Sequence, residues 1–209
     1  MDPADKIRDH YRPRIQPGRP HHDILDWAAA ETQETRFNVL TRCVDLQDKS
    51  LLDVGCGLGD LCTFLLRRLI HVDYCGVDLV EEMLTKAASH HPSRQFACTD
   101  VFSNSAASTL AALDRPAPFD VVFCSGTLNL NLGNNMEFLP RSLRAMYDLA
   151  GDMLVVNFLS NRGYTVDPTY FNYSTHVVTK LVSNLFPAAK VDLRDNYLAN
   201  DFTLAIRKG

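Results

Sequence analysis

The sequence predicts an α/β fold: a doubly wound, seven-stranded sheet, mostly parallel, with helices on both faces. Short apolar runs alternate with segments of helical spacing along most of the 209 residues. The last two runs, at 191–193 and 202–206, are joined by a turn too short for a helical crossover, which predicts an antiparallel C-terminal strand. Glycines or polar residues follow four of the runs. Because parallel strands end at one edge of a sheet, these residues predict a single crevice there.

The first predicted strand leads into a glycine-rich turn. Residues 51–54 form an apolar run typical of a strand buried on both faces, and Gly55, Gly57 and Gly59 follow at alternate positions. Such glycines permit a sharp turn at positive φ and let a ligand lie against the main chain. Apolar spacing over residues 58–69 then predicts a helix. Strand, turn and helix together predict a nucleotide-type cofactor site.

The spacing of these glycines distinguishes two classes of cofactor. The dinucleotide fingerprint is GxGxxG, whereas here the third glycine comes one position early, at Gly59, and Asp53 stands two residues before the first. The run Asp-Val-Gly-Cys-Gly-Leu-Gly at 53–59 resembles the first motif of the class I S-adenosylmethionine-dependent methyltransferases, which have a Rossmann-like fold. A nicotinamide-dependent oxidoreductase remains the alternative, and the glycine spacing disfavours it.

The second and third predicted strands end in acidic residues. The strand at 71–78 ends in Asp78, where a nucleotide-binding sheet places the acceptor for the ribose hydroxyls. The strand at 95–98 leads to Asp100 and Val101. The family resemblance implies that the Asp100 side chain accepts a hydrogen bond from the adenine amino group and that the Val101 main chain donates one to the adenine ring.

The fourth predicted strand, at 119–124, leads to Ser125, where the family places the methionine portion of the cofactor. Taken alone, Asp78, Asp100 or Ser125 is more typical of a helix cap or a turn, but four successive strand ends favour a cofactor site. The resemblance implies that S-adenosylmethionine, and its product S-adenosylhomocysteine, are bound by Asp53, Gly55, Cys56, Gly57, Gly59, Asp78, Leu79, Met83, Asp100, Val101, Ser125 and Arg36.

The segment before the first strand differs from the rest of the chain. Residues 1–23 are polar and contain four prolines, which predicts either a flexible arm that folds over the active site, as in related small-molecule enzymes, or a surface tail. A helix is expected over 24–46. Trp27 is interpreted as a hydrophobic anchor for this helix or as a stacking partner, and Arg36 as a solvated cation or a contact to the cofactor carboxylate. We expect residues 1–45 to cap a methyltransferase domain at 46–209.

The second half of the chain continues the alternation of predicted strands and helices. Further helices are expected at 80–87, 104–113, 138–147 and 175–186, and a fifth strand at 153–158. An asparagine-rich loop at 126–135 and an aromatic loop at 163–174 follow strands, and such loops shape substrate pockets. The residues predicted for the substrate pocket are Tyr11, Trp27, Asn131, Tyr164 and His176.

Composition and charge suit an enzyme that acts on small molecules. With 46% hydrophobic and 22% charged residues the chain is ordinary for a globular protein, and its formal net charge of −4 with scattered cations disfavours nucleic-acid binding. A signal-peptide pattern and an apolar run of membrane-spanning length are absent from the sequence. We expect a cytoplasmic monomer or homodimer with a small-molecule substrate and neither a nucleic-acid nor a membrane partner.

The six cysteines have no CxxC pairing and lie mostly in or beside apolar segments. They are therefore interpreted as small buried hydrophobes, and neither a disulfide framework nor a metal site is predicted. Cys124 falls at a strand end in the predicted crevice, where a lining role is favoured over that of a nucleophile.

The chemistry implied by the resemblance needs little from the protein beyond alignment. The sulfonium makes the methyl group electrophilic, so an enzyme must hold the acceptor in line and exclude water, with a base only where the acceptor loses a proton. No catalytic residue is predicted. After the fourth strand the Asp/Asn-Pro-Pro-aromatic run of base-modifying members is missing, which favours transfer to an oxygen, nitrogen or carbon atom of a small molecule, with oxygen or nitrogen preferred. A cofactor-binding scaffold or regulator without turnover is the alternative.

Overall fold

The computed structural model describes residues 2–103, 106–111, 113, 117–162 and 167–209. Within this part of the chain seven strands form one sheet in the order β3-β2-β1-β4-β5-β7-β6. The strands are β1 (Lys49–Val54), β2 (Val72–Asp78), β3 (Gln95–Cys98), β4 (Phe119–Ser125), β5 (Ala150–Leu159), β6 (Lys190–Arg194) and β7 (Asp201–Arg207). The first five run parallel, and β7 is antiparallel to β5 and β6. The predicted fold class is confirmed.

The order of the sheet reverses at its centre. β1 pairs with β2 on one side and with β4 on the other, so the chain winds outward first in one direction and then in the opposite direction. In open α/β sheets such a switch point opens a crevice between the diverging loops at the carboxyl ends of the strands. Here the glycine turn that follows β1 lies at this crevice.

The helices cover both faces of the sheet. Neighbouring residues of a buried strand point to opposite faces, and accordingly Leu51 packs with Phe64 on one side while Leu52 packs with Leu139 on the other. The helices are α1 (Pro3–Tyr11), α2 (His21–Ile24), α3 (Ala30–Cys43), α4 (Asp60–Arg67), α5 (Glu81–His90), α6 (Ala106–Ala111), α7 (Asn135–Leu149) and α8 (Thr175–Leu185), with a short 3-10 turn at Arg12–Arg14. None of the helices described is both long and apolar enough to span a membrane.

The N-terminal region is more ordered than expected from its sequence. Instead of a flexible arm, its first part forms α1, because the Asp2 side chain accepts a hydrogen bond from the Ala4 N–H and proline occupies the first turn. Ile7 packs inward from this helix. The single helix expected over 24–46 is wrong at its start, since Asp26 has a φ of +62° and breaks the chain into α2 and α3.

The six cysteines are free thiols. Burial is confirmed for Cys56, Cys62, Cys75 and Cys124, which lie in or next to the central strands. The expectation is wrong for Cys98, which is exposed because it ends the edge strand β3.

Candidate active site

A cavity of about 300 Å³ lies at the carboxyl edge of the sheet. Residues at and after the ends of β1, β2, β3 and β4 form one side of its lining. Tyr11 from α1, the segment 25–28 and residues of α3 form another, so the N-terminal region contributes to the same cavity as the strand ends. The volume is at the lower end of the range for small-molecule sites.

The glycine turn gives the cavity its floor. Gly55, Gly57 and Gly59 have φ values of +75°, +54° and +77°, a region that costs a residue with a side chain conformational energy. A Cβ atom on Gly57 would stand 2.6 Å from Cδ2 of Leu25, and one on Gly55 would stand 1.9 Å from Oγ1 of Thr127. Glycine is therefore required at both positions by backbone conformation and by close packing.

The Asp78 carboxylate ties the end of β2 to this turn. Its Oδ2 accepts a hydrogen bond of 2.9 Å from the Gly57 N–H, and its Oδ1 accepts one of 2.9 Å from the Val80 N–H. Burial raises the pKa of Asp78 above its ordinary value, while these N–H groups act in the opposite direction. The carboxylate faces the cavity and at the same time holds the loop that would bear the cofactor.

Asp53 brings a second carboxyl group to the cavity wall. It is buried in β1, and Oδ2 accepts a hydrogen bond of 2.7 Å from the Tyr74 hydroxyl. Burial raises the pKa of Asp53 to about 7, with further contributions from the charges of Asp78 and Asp60. The described lining contains more carboxyl groups than cationic ones, which suits a positively charged ligand.

Three further predicted residues meet at the same cavity. Asp100 lines it and turns the chain after β3, because its Oδ1 accepts a hydrogen bond of 2.9 Å from the Phe102 N–H. Val101 is buried next to it. Ser125, at the end of β4, donates a hydrogen bond of 3.3 Å from its hydroxyl to Oδ1 of Asn157. Cys56, Leu79 and Met83 also belong to the lining.

Arg36 lies at the cavity wall but is not the solvated cation considered from the sequence. Its side chain is 5% exposed, and Nη2 donates a hydrogen bond of 2.9 Å to Oδ1 of Asp201. Nη1 donates to the Thr32 carbonyl oxygen at 2.8 Å. The guanidinium also lies 4.4 Å from the ring centroid of Trp27. Its positive charge is thus balanced within the protein by a residue at the start of β7.

Two aromatic residues of the N-terminal region cover the cavity. A Cβ atom on Gly126 would stand 2.7 Å from Cη2 of Trp27, so the indole lies directly against the loop after β4. Tyr11 lines the cavity from the end of α1, and burial raises the pKa of its hydroxyl. Both residues were predicted for the substrate pocket, and both line the cavity.

A carboxylate absent from the predicted site, that of Asp26, joins three segments at the cavity lining. Asp26 lies 2.9 Å from Nε2 of His10 and 2.9 Å from Nη1 of Arg14, and it accepts a short hydrogen bond from the Tyr170 hydroxyl. Asp26 and Tyr170 both line the cavity. An isolated aspartate with a positive φ has no recognisable spacing pattern, which is why the sequence did not reveal it.

Several predicted residues lie elsewhere. Among those described, Gly59, Asn131 and His176 are outside the lining, and Tyr164 lies outside the described residues. The Asn131 side chain accepts a hydrogen bond from the Gly133 N–H and donates one to the Pro168 carbonyl oxygen, and His176 is exposed in the first turn of α8. The asparagine of the same loop that lines the cavity is Asn129.

The part of the chain that forms these strand ends matches a known protein family. Residues 52–150, from β1 to the start of β5, match the family model described as a methyltransferase domain. This match, just under half of the chain, makes it similar to the class I S-adenosylmethionine-dependent methyltransferases. Structures of a methyltransferase that shares this fold contain bound S-adenosylmethionine or S-adenosylhomocysteine. The match contains all four strand ends that bear the predicted cofactor residues.

Two curated relatives are similar in sequence. The trans-aconitate 2-methyltransferase of Delftia acidovorans is 26% identical over 66% of this chain, and the chain spans about half of that protein, 51%. The methyltransferase Rv1506c of Mycobacterium tuberculosis is 29% identical over 76% of the chain and 93% of its own length.

Solved structures share the fold at low sequence identity. Magnesium protoporphyrin IX methyltransferase (ChlM) from Synechocystis PCC 6803, with bound S-adenosylmethionine, aligns over 100% of this chain and 98% of its own with a TM-score of 0.68 and 14% identity. The [4+2]-cyclase SpnF aligns over 87% of this chain and 83% of its own with a TM-score of 0.63 and 16% identity. The second structure shows that this fold also occurs in a protein described by a different reaction.

Proposed function

We propose that this protein is a methyltransferase that transfers the methyl group of S-adenosylmethionine to an oxygen or nitrogen atom of a small molecule by in-line displacement. The observation that carries the proposal is the cavity, in which the strand ends of the matched domain face Tyr11, Trp27 and Tyr170 from outside the match. The cavity therefore extends past the predicted cofactor residues and offers space for an acceptor.

The cavity residues at the strand ends fit S-adenosylmethionine chemically. Gly55 and Gly57 leave the main chain bare, so the methionine portion would lie against it. Asp78 would accept hydrogen bonds from the ribose hydroxyls, and Asp100 would accept one from the adenine amino group. When bound, the cofactor supplies an electrophilic methyl group on a sulfonium, and the carboxyl-rich lining that includes Asp78 and Asp100 suits that positive charge.

The N-terminal region would exclude water and align the acceptor. Residues 1–45 are proposed as a cap on the domain at 46–209, and this is supported by the position of Tyr11 and Trp27 in the cavity lining. Since transfer depends chiefly on the distance and the angle between acceptor and methyl group, a closed cap contributes to the rate by holding both reactants in place. No residue of the described lining is assigned as a general base.

The setting proposed for the reaction is the cytoplasm. Six free cysteines, four of them buried, fit a reducing compartment. The proposed partner is the small-molecule acceptor, and the proposed assembly is a monomer or a homodimer without nucleic acid.

A cofactor-binding protein without methyl transfer is the second candidate. It is favoured by the structural likeness to SpnF, which is described as a cyclase. Binding of the cofactor supports both candidates equally, and only turnover separates them.

The test is transfer of label from S-adenosylmethionine with a radioactive methyl group. The full chain is incubated with a deproteinised, nucleic-acid-free small-molecule extract, and with the protein and nucleic-acid fractions separately. We expect label in a small-molecule product, with less formed by Asp78→Ala. Label confined to a macromolecular fraction would contradict a small-molecule acceptor, and tight cofactor binding with label in none of the fractions would favour the second candidate.

A further inference from the structure

The side chain of Asn129 presents a free hydrogen-bond donor inside the cavity. The residue is 3% exposed and belongs to the cavity lining. Its Oδ1 accepts a hydrogen bond of 3.0 Å from the Leu159 N–H, and this contact fixes the orientation of the carboxamide. Its Nδ2 has no hydrogen-bond partner among the described residues. Nδ2 is not among the fully enclosed polar atoms that lack a partner, so it is accessible from the cavity and available to a ligand atom that accepts from it.

Asn129 lies in the loop after β4, beyond the proposed cofactor residue Ser125. Most of the other proposed cofactor contacts follow β1, β2 and β3, whereas the side chain of Asn129 contacts the end of β5. Its carbonyl oxygen accepts a hydrogen bond of 2.7 Å from the Phe171 N–H, beside Tyr170. Leu159, Leu198 and neighbouring residues continue the lining on this side. This part of the cavity, over β4, β5 and β7, is called the acceptor half below.

The charges at the acceptor half are balanced internally. Arg36, the one lysine or arginine in the described lining, is paired with Asp201. Arg14, which is not part of the lining, is paired with the lining residue Asp26. A carboxylate ligand would therefore meet no uncommitted cation among the described lining residues and would lie near Asp26, at an electrostatic cost.

The donor character of Asn129 also favours oxygen over nitrogen as the methyl acceptor. A hydroxyl oxygen has two lone pairs, so one can accept a hydrogen bond from Nδ2 while the other attacks the methyl carbon. A neutral amine has a single lone pair, which the hydrogen bond would occupy. An ammonium group has none and cannot accept from Nδ2.

We propose that the acceptor is an uncharged hydroxyl compound whose reacting oxygen accepts a hydrogen bond from Nδ2 of Asn129. The proposal rests on the proposed function and narrows its acceptor class. In the transfer, a new bond joins the hydroxyl oxygen to the methyl carbon, and the electron pair of the broken carbon–sulfur bond stays on sulfur. The hydroxyl proton passes to bulk water when the cavity opens for product release, and the products are a methyl ether and S-adenosylhomocysteine.

The first experiment uses matched probes on the full-length protein saturated with S-adenosylhomocysteine. Saturation-transfer NMR compares the alcohol or phenol, the amine and the carboxylate of benzyl, cyclohexyl and naphthyl skeletons. We expect binding of the hydroxyl members and labelled methyl ethers when S-adenosylmethionine replaces the product. Preferential binding of amines or carboxylates, or binding of none of the hydroxyl probes, would overturn the proposal.

The second experiment changes the donor alone. Asn129→Asp keeps an oxygen for the Leu159 N–H and replaces the amide nitrogen with an oxygen, and Asn184→Asp makes the same change on the exposed surface of α8. We expect Asn129→Asp to weaken hydroxyl-probe binding about tenfold and to leave the Kd for S-adenosylhomocysteine within about twofold. Asn184→Asp should change neither.

The outcomes separate this proposal from the proposed function. An equal loss of S-adenosylhomocysteine affinity in Asn129→Asp would place the donor at the cofactor and overturn the acceptor assignment. Failure of the unmodified protein to bind S-adenosylhomocysteine would instead contradict the proposed function. If Asn129→Asp does not fold, the probe selectivity of the unmodified protein still decides the acceptor class.

Discussion

The guanidinium of Arg36 is paired with the carboxylate of Asp201, although the two residues are 165 positions apart in the chain. Both side chains are buried, and Asp201 also accepts a hydrogen bond of 3.2 Å from Nδ2 of Asn157. The pair fastens α3, which carries one wall of the cavity, to the first residue of β7. The N-terminal region is thereby joined to the C-terminal half of the sheet.

Removal of one member of this pair should destabilise the protein strongly. We expect Asp201→Ala to lower the free energy of unfolding by about 3–5 kcal/mol, because it leaves the buried guanidinium uncompensated. The double variant Arg36→Met, Asp201→Leu should lose less than Asp201→Ala alone, since it removes both charges. Urea denaturation measures both values, and equal losses in the single and double variants would argue against charge imbalance as the cause.

A methyl group at Gly57 should affect cofactor binding as well as stability. Gly57→Ala adds a Cβ atom 2.6 Å from Leu25 in a turn with φ of +54°. Gly133→Ala is the matched control, because its φ is +87° and nothing lies within 4 Å of the added atom. Each variant should lose about 1–2 kcal/mol of stability, because a residue with a side chain is disfavoured at positive φ. Only Gly57→Ala should lose affinity for S-adenosylhomocysteine in calorimetry, and equal affinities in the two variants would refute a cofactor role for this glycine.

The buried Asp53 carboxyl should make stability depend on pH. Its pKa is raised to about 7 in the folded state, so it stays protonated there while the unfolded chain ionises. The stability of the cofactor-free protein should therefore fall as the pH rises from about 4 to about 7, by up to about 4 kcal/mol from this group.

Asp53→Asn isolates that contribution. The amide oxygen can still accept from Tyr74, but the variant has no carboxyl to titrate. We expect the difference in unfolding free energy between pH 5 and pH 8 to shrink in Asp53→Asn and to stay unchanged in Asp148→Asn, which alters an exposed acid on α7. An unchanged difference in Asp53→Asn would contradict the raised pKa.

Loss of the Asp78 carboxylate should weaken cofactor binding. Asp78→Ala removes the proposed acceptor for the ribose hydroxyls and the two contacts to the N–H groups of Gly57 and Val80. We expect a loss of about 2 kcal/mol in binding free energy, roughly 30-fold in Kd. Asp148→Ala serves as the control, and the same Kd in both variants would remove Asp78 from the site.

The fold was predictable because its signals are local and repeated. Apolar runs and helical spacing gave each strand within a few residues, and β3 was predicted at its observed bounds, 95–98. The positive φ of Gly55 and Gly57 followed from the sequence for the same reason. Helix starts in the N-terminal region were less predictable, because the break at Asp26 depends on tertiary partners.

Some features of the site could not be predicted, because they depend on contacts between residues that are distant in the sequence. Arg36 looked solvated because its partner, Asp201, is distant in sequence. Asn129 and Asn131 are two positions apart in one loop, and only their contacts show that the first faces the cavity and the second does not. The proposed cofactor residues follow strand ends and can therefore be predicted from the sequence. The acceptor half is assembled from side chains of separate segments, so its residues cannot be predicted in this way.

Calorimetric titration of the purified full chain with S-adenosylmethionine, S-adenosylhomocysteine and NAD tests the central claim most directly. The glycine turn, Asp78 and Asp100 at one crevice predict micromolar binding of the first two ligands and none of NAD. Binding of NAD in preference to S-adenosylhomocysteine, or binding of none of the three, would contradict the account.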